Sequence, residues 1–495
     1  MKSSLARHSV TIACGSGFLL FGYDQGVFGG LLSNKPFLET FNNPSSTIQG
    51  QIVATYDIGC IMGTVVSMIF GDKLGRRKSI LIGCVVLIVD GILQAASYSL
   101  APMIAGRIVA GVGNGMNTIA IPIWQAETAA AHNRGKLIVL QLVTNIFGIV
   151  ITNWMNYGFT YIPDSPISWR FPLAFQCFFA IVTIALVFVS PESPRWLVMT
   201  NRITQAKATL VLLLNKPIDD PAVIQEIQQL EVSVTHENEV QSSVTLKEIF
   251  GGGQQMTFRR ILLGAGTPFF QQMGGVNVIA YYLPVVLVRS FGMTDRMALI
   301  LSACDNMQLM FWGGLAALLI DRVGRRRLMM FGVTASILCF VVVAVGLRYG
   351  GPGSNNTSMS ILAVAFIFMY YVFYGLSLLS IPYMYPAEIN SQRMRNTGTS
   401  IATAVNWIFV YVVVVITPTA IDSIGWKYYL VYAITNICFL PIIWRCIKHE
   451  GGRSISWKEA RRLALMTRPA LEDIKVQKAL TDHVEITEDN QKGNH

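Results

Sequence analysis

Residues 71–78 read GDKLGRRK and residues 321–327 read DRVGRRR. The same basic signature thus occurs twice, half a chain apart, each time between strongly apolar segments. Asp72 and Asp321 are separated by 249 residues. A second pair follows in the same order. Glu127 precedes Arg134 by seven residues, Glu388 precedes Arg395 by seven, and the two glutamates are separated by 261. Two similar halves, each a bundle of apolar spans with charged turns at matching places, are the trace that a parallel-repeat transporter leaves in its sequence.

Composition points the same way. Of 495 residues, 52% are hydrophobic and 13% charged, against about 25% charged in a soluble domain. Stretches of about 20 apolar residues, enough to cross about 30 Å of hydrocarbon as a helix, recur along almost the whole length. Twelve are expected: 10–32, 50–70, 79–98, 101–125, 138–158, 170–190, 261–288, 297–320, 328–347, 359–385, 398–420 and 428–447. The fold class is therefore an all-α membrane protein with twelve spans in two six-helix pseudo-repeats. Residues 1–190 form the N-terminal bundle, 191–259 a cytoplasmic linker, 260–447 the C-terminal bundle and 448–495 a tail. The linker carries helical patterns at 203–214 and 221–231. The tail is largely disordered in this reading, with 457–466 able to form one helix.

The net charge of +10 is no sign of a nucleic-acid partner, because the basic residues concentrate in alternate connections. Lys73, Arg76, Arg77, Lys78, Arg134, Lys136, Arg322, Arg325, Arg326, Arg327, Arg393 and Arg395 fall in one set of loops. The other set is sparse, with Lys35, Arg170, Arg289, Arg296, Arg348 and Lys427. Positive-inside bias puts the rich set, and with it both termini, in the cytoplasm, most simply beneath the plasma membrane. Asn355 and Asn356 then stand outside, in two overlapping glycosylation sequons. The eight cysteines fall in or at the ends of spans without metal-ligand spacing, and read as packing residues. No catalytic triad, phosphate loop or metal cluster stands out. Neither an enzyme nor a cofactor is expected.

Several motifs together carry a resemblance. GYDQGV at 22–27, GDKLGRRK at 71–78, GRIVAGVGNG at 106–115, PESPRWL at 191–197, QQMGGVN at 271–277, DRVGRRR at 321–327 and PAEI at 386–389 run in order across the membrane portion. The chain resembles the sugar porters of the major facilitator superfamily, of the kind common in fungi. The resemblance implies a monomeric carrier that moves a sugar or polyol by alternating access, with protons as the favoured second cargo. It also implies a cytoplasmic gate built from Asp72, Arg76, Arg77, Glu127, Arg134, Glu192, Arg195, Asp321, Arg325, Arg326, Glu388 and Arg395, whose pairs break when the protein opens inward. The residues themselves allow this. Glycines at 75 and 324 permit a tight turn, and the arginines can reach helix C-termini or neighbouring acids. A purely topological role for the same charges is the plainer alternative.

Asp24 and Arg107 fall inside spans 1 and 4. An intramembrane charge is costly and marks function by default, with its partner named. A carboxylate set between a cation and an apolar interior can load a proton on one side and release it on the other. Proton-coupled sugar porters carry an acid and an arginine at these motif positions. A static ion pair that orders the bundle is the alternative. A sugar needs paired donors and acceptors and an aromatic face. Gln271, Gln272 and Asn277 flank Gly274-Gly275, where span 7 can bend and bring them to one cavity, with Tyr282 close behind. Asn406 and Trp407 match the family's sugar-contacting Asn-Trp position, and Tyr383 stands where many relatives have Trp.

Two departures concern the substrate. Leu142 occupies the place of a sugar-binding Gln in span 5, with Gln141 adjacent and Asn145 one turn on. Asp305, next to Asn306, adds an embedded acid that could touch substrate, carry a second proton or simply be packed. Asp57 and Asp90 are also embedded, without an assigned role. Glycines 106, 111, 113 and 115 read as close-packing positions. A facilitator, a sugar sensor and a quinate-type acid transporter remain alternatives on the same fold.

Overall fold

The computed structural model describes residues 3–129, 134–162, 164–241, 257–350, 356–390 and 395–446. Among them lie eighteen helices and no strand. The first group is α1 (Ser3–Leu31), α2 (Lys35–Thr40), α3 (Ser46–Leu74), α4 (Arg76–Ala95), α5 (Leu100–Thr128), α6 (Arg134–Phe159) and α7 (Ile167–Val189). Three short helices follow: α8 (Pro194–Met199), α9 (Ile203–Leu214) and α10 (Pro221–Gln241). The second group is α11 (Thr257–Met273), α12 (Val276–Phe291), α13 (Asp295–Val323), α14 (Arg325–Gly350), α15 (Thr357–Ser377), α16 (Ile381–Ile389), α17 (Arg395–Ile424) and α18 (Lys427–Cys446). Among the described residues, nine helical stretches are long and apolar enough to cross a membrane, so the chain is an all-α, multi-pass membrane protein. Apolar side chains face outward where lipid would lie, as at Ile69, Phe188, Phe311 and Ile361.

Small residues set the packing. A Cβ on Gly111 or Gly115 of α5 would come within 2.1 Å of the Tyr56 carbonyl or 2.3 Å of the Cys60 carbonyl on α3. Gly113 and Gly106, on another face of α5, meet the Gly83 carbonyl and the Gln94 side chain of α4 a little less closely, at 2.7 Å each. Gly22 and Gly148 do the same between α1 and α6. Bare backbones approach there, and dispersion contacts gather over many atoms where no water drives association.

Two expected spans are broken. Span 7 is interrupted at Gly274-Gly275, as its glycines suggest. Gly275 has φ +96°, and a Cβ there would also sit 2.8 Å from the Phe340 ring. Span 10, expected to be continuous over 359–385, stops at Ser377 and restarts at Ile381. The sequence carries a signal for this break: Pro382 and Pro386 each remove a backbone donor within one short stretch, and Pro382 sits at the first turn of α16, where a helix tolerates it. In the linker the 203–214 helix is where its pattern places it, and the second runs on to Gln241. These two pack with α8 around Trp196, Leu197, Leu210 and Ile227. The 457–466 segment lies outside the described residues.

Candidate functional site

The two helical groups enclose a cavity of about 940 Å³. Its wall runs from Phe21 and Gln25 of α1 to Asp72, Arg76 and Glu127 at the first basic turn. Met68 and Ile123 on this wall are 49% and 38% exposed, so the cavity opens toward the basic turns.

The broken helices deliver most of the polar wall. The Gln272 Nε2 donates to Asn406 Oδ1 at 2.6 Å, and Asn277 Nδ2 donates to Gln272 Oε1 at 2.8 Å. Gln271 Nε2 donates to the Tyr374 hydroxyl at 2.7 Å and to the Leu378 carbonyl at 3.0 Å. That carbonyl is freed by the break between α15 and α16, so the two interruptions are tied to each other. Asn436 Nδ2 holds the other freed carbonyl, Gly274, at 3.1 Å. Trp407 lies beside them, edge-on to Phe21 at 5.9 Å and to Tyr56 at 6.4 Å between centroids. Gln141 and Asn145 face the cavity from α6, together with Leu142, and Tyr383 faces it from α16, 47% exposed.

Two expected wall residues lie elsewhere. Tyr282 is fully buried, and its hydroxyl donates to the Val414 carbonyl at 2.9 Å. It stands five positions after Asn277 on α12, about 140° round the helix, so when Asn277 faces the cavity Tyr282 faces α17. Asp305 is also fully buried behind the wall, accepting from Gln308 Nε2 at 2.6 Å, while its neighbour Asn306 faces the cavity.

Asp24 and Arg107 meet inside the first group. Arg107 Nη1 donates to Asp24 Oδ1 at 3.0 Å, and both side chains are 1% exposed or less. The guanidinium is sandwiched between the Phe28 and Tyr56 rings, 4.4 Å from each centroid. Asp90 takes a different solution, accepting from the amides of Gln94 and, at 2.9 Å, Gln176.

At the basic turns the repeat in sequence becomes a repeat in geometry. Arg76 grips Glu127 through Nε and Nη2, both at 3.0 Å, and Arg325 grips Glu388 through the same two nitrogens at 3.2 and 2.9 Å. Bidentate guanidinium–carboxylate bonds of this kind are among the stronger polar contacts. The next arginine in each motif caps a helix C-terminus. Arg77 donates to the carbonyls of Val187 and Phe188 on α7, and Arg326 to that of Trp444 on α18. Arg76 also holds Asp72 at 3.0 Å. Glu192 accepts the Ser193 N–H at 2.9 Å and the Arg77 N–H at 3.3 Å. Burial pushes its carboxyl above the usual carboxylate range, against the pull of those N–H groups and of Arg77 and Arg76. Trp196 Nε1 donates to the Asp72 carbonyl at 2.7 Å, and its ring lies 2.9 Å from where a Cβ on Gly75 would stand. Arg195 lines the cavity.

Each of these ion pairs joins helices of the same group. The side chains of Arg134, Asp321 and Arg395 lie outside the described residues, as does Asn355. Asn356 caps α15, its side chain accepting the Met359 N–H.

The opposite end was not marked by any motif. Arg289 Nη2 of α12 donates to Gln49 Oε1 of α3 at 2.8 Å, while its Nη1 holds Asp422 of α17 at 3.2 Å. Ser46 donates to the same Asp422, Thr47 pairs with Thr419 at 3.3 Å, and Arg296 reaches the Thr160 carbonyl. These bonds do join the two groups. Arg289 and Arg296 were legible only as members of the sparse loops.

Comparisons with known proteins agree with this architecture. The profile of the family described as "Sugar (and other) transporter" matches residues 9–457. The MFS-type transporter oryC of Aspergillus oryzae is 44% identical, over 90% of this chain and 83% of its own. The sugar transporter STL1 of Saccharomyces cerevisiae is 33% identical, over 91% and 80%. An inward-open structure of the xylose transporter XylE from E. coli superposes with a TM-score of 0.75 at 24% identity, covering 92% of this chain and 99% of that one, which shows a shared fold. With a cavity between two helical groups and a family match along nearly the whole length, the chain belongs to the sugar-porter family of the major facilitator superfamily and is a membrane transporter rather than an enzyme.

Proposed function

We propose that the cargo is a sugar or polyol and that it crosses together with a proton. The observation that carries the cargo class is a set of unmet polar atoms on residues that line the cavity. Gln141 Nε2, Asn145 Nδ2, Trp407 Nε1, Asn306 Oδ1 and the Tyr371 hydroxyl are all buried, and among the described residues none has a hydrogen-bond partner. Leaving such groups bare costs about 1–3 kcal/mol each. A ligand rich in hydroxyls serves both kinds at once, since each hydroxyl donates and accepts, and the Trp407 ring offers it an apolar face. The names of STL1 and XylE, a sugar and a xylose transporter, favour the same class.

Asp24 and Arg107 are the proton site in this reading. Gln25 follows Asp24 directly and lines the cavity, while Tyr56 stands between the Arg107 guanidinium and Trp407. Occupancy of the cavity and protonation of Asp24 can therefore influence one another through two short routes. Supporting features complete the carrier. With α1, α5 and α13, each 29 residues long, the nine apolar stretches make twelve spans in two halves, 1–190 and 260–447. The linker at 191–259 and the tail at 448–495 lie with the basic turns in the cytoplasm of a monomer in the plasma membrane. The Arg76–Glu127 and Arg325–Glu388 clusters form the two lips of the inner gate, here parted.

Radiolabelled uptake by cells lacking their own hexose carriers tests the cargo. Glucose, xylose, galactose, glycerol, a longer polyol and quinate form the panel. One sugar or polyol is taken up, and Asn406→Ala or Gln272→Ala reduces that uptake at least about tenfold, the effect of about 1.4 kcal/mol. Uptake of quinate alone, or of nothing by a protein that reaches the surface, contradicts the proposal.

A further inference from the structure

Three acids are buried in the first group, and they are treated differently. Asp24 has Arg107. Asp90 has an amide donor on each oxygen, from Gln94 and Gln176. Asp57, on α3, is fully buried, and neither of its oxygens has a hydrogen-bond partner among the described residues. A carboxylate anion held in an apolar interior without a donor is among the costliest groups a protein can bury, and the neutral acid is how such a site is tolerated.

The neighbours of Asp57 give it a place in the cycle. Arg107 of α5 and Asp24 of α1 are the charged groups that act on it. On its own helix Cys60 is nearby. From α12 it is faced by Tyr281 and Tyr282. The Tyr281 hydroxyl accepts from Gln25, and Tyr282 donates to Val414. The remaining helix packed across this seam, α17, brings Val415 and Thr419 against Gly50 and Thr47, and its Asp422 is held at the outer end by Arg289. One guanidinium therefore serves two carboxyls, and only Asp24 holds it here. The helix of the other half that packs along α3 is α17, and Asp57 stands seven positions, about two turns, after Gly50, on the face that meets it; α17 separates from α3 when the outer end opens.

We infer that Asp57 is a second proton-carrying group of the transport cycle, alternating with Asp24 for Arg107. This rests on the proton-coupled reading above. With α17 withdrawn, outer water reaches Asp57, and a proton passes from hydronium to its carboxylate oxygen, leaving water. Closure of α17 seals the neutral acid while Arg107 remains with Asp24. As Arg107 turns from Asp24 to Asp57, the proton passes from the Asp57 O–H to an Asp24 oxygen, and it leaves Asp24 to water of the cavity, forming hydronium, when Arg107 returns. The cluster is neutral while it carries the proton and has one negative charge once the proton is gone.

The test uses the full chain in proteoliposomes, with labelled D-glucose and labelled glycerol as probes. Net uptake, substrate-induced proton movement and counterflow are measured across external pH for the wild type, Asp24→Asn and Asp57→Asn. The expected result is a wild type that moves protons with substrate, and an Asp57→Asn variant that keeps counterflow but shifts its uptake pH midpoint by a unit or more or loses at least nine-tenths of the proton movement. A wild type that moves a probe without protons, or neither probe, removes the coupled reading and this inference with it. A coupled wild type whose pH profile and proton movement are unchanged in Asp57→Asn overturns the inference alone. Should Asp57→Asn abolish counterflow, Asp57→Glu decides: recovered proton movement upholds the assignment, and continued loss assigns Asp57 to packing.

Discussion

The two ends of the molecule use polar side chains to opposite purposes. At the basic-turn end the bonds run within each half: Arg76 to Glu127 and Asp72, Arg325 to Glu388, Arg77 and Arg326 to the ends of α7 and α18. At the other end they run between halves, from Gln49 and Ser46 of α3 to Arg289 and Asp422 of α12 and α17. The first set keeps each half rigid whatever the other half does. The second holds the two groups together at that end. Charge density alone is therefore a poor guide to which end is shut; what matters is which bodies the charges connect.

The largest expected effect comes from breaking the rigid end. Arg76 and Glu127 are only 9% and 11% exposed, and removing one partner of such a pair leaves an uncompensated charge worth about 3–5 kcal/mol. Arg76→Ala should sharply reduce folded carrier, read as surface expression and thermal stability in detergent. The matching pair, Arg325 and Glu388, is 26% and 39% exposed, where an ion pair contributes about 1 kcal/mol or less, so Arg325→Ala should be visibly milder. Equal losses would break the comparison between the two lips.

The closed end should respond in conformation rather than in folding. A Cβ on Gly50 would stand 2.8 Å from the Val415 carbonyl across the seam. Gly50→Leu should act as a wedge costing about 1–3 kcal/mol of the closed state, a five- to 150-fold shift toward outward opening. The readout is protection of a cysteine placed at Met68, on the open side, from an impermeant thiol reagent applied at the cytoplasmic face. Gln49→Ala removes a hydrogen bond from a charged donor and should shift the same equilibrium by about 1.5–3 kcal/mol at most. Unchanged labelling in both would mean that the outer contacts do not hold this end closed.

Glu192→Gln should have the smallest effect. The amide oxygen can still accept the Arg77 and Ser193 N–H groups. Because burial raises the folded carboxyl above its unfolded value, the acid form is favoured by folding. Its stability contribution is full below the ordinary carboxylate range and fades as pH rises through the raised value. Glu192→Gln should flatten stability against pH just above that range and leave uptake within about twofold, a difference under 0.5 kcal/mol. A steeper pH dependence in the variant would reverse the sign of this argument.

The same contrast explains what could be read from the chain. A repeat in sequence marks what two halves have in common, so the GRR turns and their glutamates were legible down to the arginines that cap helix ends. Gly274-Gly275 announced the break in span 7 because glycine alone relaxes the backbone there. Contacts between halves have no repeated partner. Gln49, Arg289 and Asp422 come from unlike helices and meet only in the fold, so nothing in their spacing revealed them. Tyr282 was misplaced because, five positions after Asn277 on the same helix, it stands about 140° round from the face that lines the cavity. The unpartnered state of Asp57 likewise depends on what five different helices fail to bring near it.

The central claim is that Asp24 couples proton entry to cargo movement through the cavity. Its most direct test is accumulation of the labelled sugar or polyol against its gradient at about pH 5 outside, compared with about pH 7.5 and with the proton gradient collapsed, well on the alkaline side of a free carboxylate in each case. The account predicts accumulation that rises as outer pH falls, disappears with the gradient, and is lost in Asp24→Asn while counterflow persists. Equilibration without accumulation, indifferent to pH and to Asp24→Asn, would contradict it and leave a facilitator with a buried ion pair.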